Sequence, residues 1–169
     1  MDDPIVIAIC RATDAAGAVT LRFNFRSVGR SEGQFTNGLE EHRDVRAALD
    51  VVRRWPGVDR KRVAIAGYSF GAAMILGGFQ RLEAARSVSL VAPTVQSLQV
   101  DKFRNDNRPR LIIAGRNDKL APSLAIQREL NGVQQPFIFR EVEAANHSMR
   151  GHEPEIGQVV ADFFSESLR

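Results

Sequence analysis

Short apolar runs and longer amphipathic stretches alternate along this chain, with Gly, Pro, Asn and Asp at the joins. Residues 62–67 (Arg-Val-Ala-Ile-Ala-Gly) lack polar alternation and read as a strand buried on both faces. Further strands are expected at 87–91, 110–114 and 136–143. Residues 19–25 (Val-Thr-Leu-Arg-Phe-Asn-Phe) alternate and read as one more. Between these lie helical patterns. The first, 4–15, has Pro4 just inside its start and Gly17 just past its end. The second, 39–54, puts Val45, Ala48, Leu49, Val52 and Trp55 on one face before Pro56-Gly57 stops it. Others are expected at 70–86, 121–130 and 155–167. Five strands and five helices in this order predict an α/β three-layer sandwich with a mainly parallel sheet. No repeat, linker or low-complexity tract divides residues 1–169, so a single domain is expected. The segment 92–109 is too short for a cap domain.

Composition narrows the function classes. With 44% hydrophobic and 25% charged residues the chain is an ordinary globular sequence, and disorder is excluded. The 23 Lys plus Arg against 20 Asp plus Glu leave +3, too small an excess to argue for nucleic acid. The basic clusters 53–54 and 60–62 read as a solvated connection at the end of the sheet away from the chemistry. A single cysteine, Cys10, can form no intrachain disulfide and suits a reducing, cytoplasmic setting. The apolar runs 5–10 and 72–79 are far shorter than the ~20 residues of a membrane helix. Asp2 and Asp3 stand where a secretory signal would be basic.

The candidate chemistry begins at Gly67-Tyr68-Ser69-Phe70-Gly71, a Gly-x-Ser-x-Gly match at the junction of a predicted strand and helix. A tight strand-to-helix turn strains the backbone at the serine, and the flanking glycines avoid collisions there. Ser69 would then be exposed as a nucleophile. The backbone N–H of Phe70, at the start of the following helix, would face negative charge developing on an acyl oxygen. A serine needs a base, and the base an orienting acid. Asp118 follows the strand 110–114, and His147 follows the strand 136–143. In a parallel sheet all three loops open on one edge. The alternative for Asp118 is that it simply caps the next helix. Of the other histidines, His42 lies in an acidic helical stretch, and His152 is the only plausible substitute base. Tyr68 and Phe70 flank the serine and could line an acyl pocket or simply pack. Neither Gly-x-G-x-x-Gly nor Gly-x-x-x-x-Gly-Lys-Ser/Thr occurs, so no nucleotide cofactor is expected, nor any metal.

Three segments resemble the α/β-hydrolase superfamily, particularly its small, lidless, dienelactone-hydrolase-like members. These are residues 21–33, with Ser27 where a glycine is usual, residues 59–72 around the serine, and the pair of loops at 115–118 and 146–147. The resemblance spans essentially the whole chain. It implies a nucleophile, acid and base at Ser69, Asp118 and His147. It also implies strands and a Gly-rich loop ahead of the first helix, the loop supplying a second oxyanion N–H. The opening Met1-Asp2-Asp3-Pro4 looks like the end of that loop, so an N-terminally truncated hydrolase core is expected, with its lost strand between 19–25 and 62–66. The expected activity is hydrolysis of small carboxylic esters or lactones through an acyl-enzyme. The alternatives are a weak or inactive fragment acting as an interaction domain, or a peptidase or thioesterase on the same scaffold.

Overall fold

A computed structural model describes residues 2–169; Met1, placed above at the end of a Gly-rich loop, lies outside the described residues. Four strands form one sheet in the order of the chain: β1 (Ala64–Tyr68), β2 (Ser87–Val91), β3 (Arg110–Gly115) and β4 (Phe137–Val142). Every neighbouring pair is parallel. The two central strands, β2 and β3, are buried at every residue, whereas β1, expected to be buried on both faces, stands at an edge of the described sheet with most residues half-buried and Ala66 exposed. β4, at the other edge, alternates in burial.

Helices cover both faces. α1 (Pro4–Ala15) and α6 (Glu153–Ser167) lie together on one face, where Ile5, Ile9, Ile156 and Val160 pack on Leu111 and Ile113. Their backbones approach so closely that a Cβ on Gly157 would sit 2.6 Å from the Ala8 carbonyl oxygen. Asp3 caps α1 by accepting from the N–H groups of Ile5 and Val6. The opposite face carries α2 (His42–Val52), α3 (Phe70–Gly77), the short α4 (Asp101–Arg104) and α5 (Ser123–Leu130) over a second core that includes Leu49, Ile75, Leu90 and Ile112. This is the expected three-layer sandwich.

Three sequence expectations are corrected. Residues 19–25 form no strand, because no described strand offers them a backbone ladder and β1 pairs only with β2. Their alternating apolar positions are not covered as one face: Phe23 and Phe25 pack against the α2/α3 core, while Val19 and Leu21, of the same alternating set, are exposed. The helix expected over 70–86 ends at Gly77 and gives way to a 3-10 turn at Phe79–Arg81, as two successive glycines, 77 and 78, weaken helical continuation. Phe79 and Leu82 remain fully buried, which is what carried the apolar pattern onward. The helix expected from residue 39 starts at His42, because Thr36 to Glu41 are committed to side-chain hydrogen bonds described below. The segment 92–109 holds a 3-10 turn (Gln96–Leu98) and α4, anchored by fully buried Leu98 and Phe103.

Candidate active site

β1 runs without a spacer into α3, and Ser69 is the single residue between them, at φ 49° and ψ −108°. A non-glycine residue at positive φ stores strain, and such residues persist where the surroundings hold them. Here Ser69 N–H donates to the Val91 carbonyl at 2.8 Å, and the Ser69 carbonyl accepts from Ala73 N–H at 3.0 Å. Gly67 permits the turn: a Cβ there would lie 2.6 Å from the Gly71 carbonyl carbon and 2.7 Å from Ala72 N. Of the two flanking glycines expected to avoid collisions, Gly67 does so and Gly71 does not need to, since a Cβ there would meet nothing within 4 Å. The helix that opens at Phe70 has no side-chain cap, so its first N–H groups are available to a bound anion.

Asp118 follows the end of β3, and its carboxylate is fully buried. One oxygen, Oδ1, accepts from the N–H groups of Leu120 and Ala121, both at 2.8 Å. The other, Oδ2, lies 2.8 Å from Nδ1 of His147. Asp118 therefore does not cap the next helix, α5, whose N-cap is Pro122 with no side-chain hydrogen bond; one of its oxygens closes the turn before that helix and the other faces His147. The opposite nitrogen, His147 Nε2, lies 2.8 Å from Ser69 Oγ. The imidazole retains 22% side-chain exposure.

Close backbone approach brings this histidine into reach. A Cβ on Gly115 would lie 2.5 Å from the Ala145 carbonyl oxygen, so only glycine lets the loop after β4 lie against the end of β3. Asn117 N–H donates to that same carbonyl at 2.9 Å, with Ala144 at φ 58° turning the chain. The phenol of Tyr68 donates to the His147 carbonyl at 2.9 Å, a contact invisible in the sequence. Burial, with Asp3 and Asp118 nearby, raises the Tyr68 pKa, so the phenol stays a donor. Tyr68 packs its body against the α1/α6 core, whereas Phe70 is 38% exposed beside the serine.

Ser69, picked out above by its motif, and His147 and Asp118, picked out by chain order, are therefore brought into one continuous hydrogen-bonded line. His152 is not part of it and sits 3.3 Å from Glu155 on the next helix. His42 opens α2, its side chain against Gly78. No cluster of metal-ligating side chains exists among the described residues, and no described helix is long and apolar enough to cross a membrane.

A parallel sheet sandwiched by helices, with a serine on a strained strand-to-helix turn, defines the α/β-hydrolase fold. The chain belongs to the dienelactone hydrolase family, whose model matches residues 28–162. An uncharacterised protein of Rickettsia prowazekii (strain Madrid E) is 28% identical over 155 residues, which cover 87% of this chain and 65% of that relative. An α/β serine hydrolase homologue from Coxiella burnetii superposes with a TM-score of 0.84 at 29% identity, covering 96% of this chain and 76% of the other. A lidless α/β serine hydrolase from Xanthomonas campestris gives 0.87 at 26% identity, covering 99% and 75%.

Proposed function

We propose that residues 1–169 form one domain of a cytoplasmic serine hydrolase that cleaves carboxylic esters through an acyl-enzyme. The observation that carries the reading is the unbroken line from Ser69 Oγ through the His147 ring to the buried Asp118 carboxylate, each step at 2.8 Å. The Asp118 oxygen accepts the proton on Nδ1, which leaves Nε2 unprotonated and facing the serine hydroxyl. Kinship with two serine hydrolases of similar fold agrees with this chemistry.

The steps follow from that tautomer. His147 Nε2 takes the Ser69 proton as Oγ bonds to the acyl carbon, and the charge moving to the carbonyl oxygen meets the Phe70 N–H. Collapse breaks the bond to the alcohol oxygen, which receives the proton from His147. A water molecule then gives its proton to His147 and adds to the acyl carbon. The serine leaves with that proton, and the carboxylic acid departs. Throughout, Asp118 stabilises the transient imidazolium and holds its orientation.

The test is intact-mass detection of fluorophosphonate labelling. One adduct is expected on the wild type and none on Ser69→Ala, with far-UV circular dichroism confirming that both are folded. A folded wild type that takes no adduct rejects the reading.

A further inference from the structure

Beside Ser69 stands an aromatic wall that the catalytic chemistry does not use. The Phe70 ring meets Phe25 edge to face at 5.2 Å and Phe35 in a tilted pair at 6.0 Å. Phe23 backs Phe25 at 5.1 Å. Phe23 and Phe25 are anchored on the α2/α3 core, but Phe35 is 53% exposed and Phe70 38%. Phe70, the residue after the nucleophile, and Phe35, paired with it, are therefore two large apolar rings that face solvent. Burying such rings is favourable, and an exposed apolar pair beside a reactive group is a surface that a ligand can cover.

The loop that presents Phe35 is held in place at some cost. Glu41 is fully buried, and its carboxylate accepts from Thr36 N–H at 2.6 Å, the Thr36 hydroxyl at 2.9 Å and Gly38 N–H at 2.8 Å. The Thr36 hydroxyl in turn accepts from Glu40 N–H. A buried carboxylate is tolerated only when its hydrogen bonds are satisfied, and all of these donors belong to the three residues after Phe35 or to Glu41's own neighbour. Gly38, at φ 89°, passes so close to α3 that a Cβ would lie 3.1 Å from the end of Met74. Phe35 is thereby fixed against Phe70.

The side on which the wall stands decides which part of an ester it meets. The leaving oxygen must be protonated by His147, whose carbonyl is tied to Tyr68 on the α1/α6 side of the sheet. The phenylalanine rings belong to the opposite, α2/α3 side. This placement favours the acyl group, not the alcohol, as the part that meets them.

We propose that Phe35 and Phe70, backed by Phe25 and fixed by the buried Glu41, form an acyl subsite that takes a flat aromatic acyl group. This rests on the serine-hydrolase reading above. Glu41 acts as a positioning residue, through the loop alone. Ring stacking and apolar burial supply the selectivity, of the order that separates acyl groups in apolar pockets.

The experiment compares p-nitrophenyl acetate with p-nitrophenyl benzoate, which share a leaving group, on wild type, Phe35→Ala and Glu41→Gln. Phe35 is half exposed, so its truncation should leave folding intact. Phe35→Ala is expected to lower kcat/KM for the benzoate about tenfold, mostly through KM, and to change the acetate less than about twofold. Glu41→Gln should repeat that benzoate-selective loss, with a melting curve reporting any loss of fold. Parallel losses on both esters, or none on either, overturn the subsite while fluorophosphonate labelling leaves the Ser69 assignment standing. If wild type takes neither label nor ester, the serine-hydrolase reading fails, and the subsite with it.

Discussion

The phenol of Tyr68, the residue before the candidate nucleophile, donates to the main-chain carbonyl of His147, the candidate base, at 2.9 Å. Two residues 79 positions apart are thus tied through a contact that leaves both imidazole nitrogens free for Ser69 and Asp118. Tyr68→Phe removes this bond and keeps the ring. The loss should cost about 1 kcal/mol of stability and lower kcat by about tenfold or less, with KM nearly unchanged. Ester kinetics and a denaturant titration check both parts.

Asp118→Asn separates the tautomer from the fold. The Asn oxygen can still accept from Leu120 and Ala121 N–H, which turns its amide NH2 toward His147 Nδ1. Nδ1 must then accept, the ring proton moves to Nε2, and the nitrogen facing Ser69 can no longer take a proton. A loss in kcat on the order of 10⁴-fold is expected, with a native circular dichroism spectrum. Activity within tenfold of wild type would falsify the role given to Asp118.

The glycines around the turn should divide sharply. Gly67→Ala forces a methyl to 2.6 Å from backbone that cannot retreat without unwinding α3, whereas Gly71→Ala meets open space. The first should destabilise by roughly 1–3 kcal/mol or more, and the second should be neutral or stabilise by up to about 1 kcal/mol, because alanine favours the helix over glycine. Gly115→Ala, against the Ala145 carbonyl at 2.5 Å, belongs with Gly67 and should also reduce activity by pushing the His147 loop outward. Thermal melts of the three variants rank them.

Glu41 gives an acid limb to stability. Burial by itself would raise its pKa, but the hydrogen bonds from Thr36 and Gly38, with its own N–H, outweigh that and hold it down at about 2. Because the folded value lies below the unfolded one, the carboxylate contributes fully at neutral pH. That contribution shrinks as pH falls from the ordinary carboxylate range near 4.5 toward about 2. Glu41→Gln should be less stable at pH 7, and its deficit against wild type should narrow as pH approaches 2. Denaturant midpoints across this range test it, and a constant deficit would contradict it.

Much of the site was legible because parallel α/β order imposes a rule: loops after successive strands share one edge. Ser69, Asp118 and His147 each follow a strand whose apolar run is visible locally, so chain order alone aligned them. What stayed hidden depends on distant partners. Tyr68 looked like a pocket residue, since nothing local reveals that its phenol reaches a carbonyl 79 residues onward. Glu41 looked like one more acid in a charged helix, yet it is fully buried and organises the loop before it.

By itself, the sequence determined the alternation of elements and which side chains follow the strands, because these depend on period and on neighbours a few residues away. Tertiary structure alone decided that residues 19–25 form no ladder, that Gly67 and not Gly71 is sterically required, and that the His147 loop settles on Gly115. Each is a matter of backbone approach between segments far apart in the chain. Side-chain periodicity carries no record of such approach.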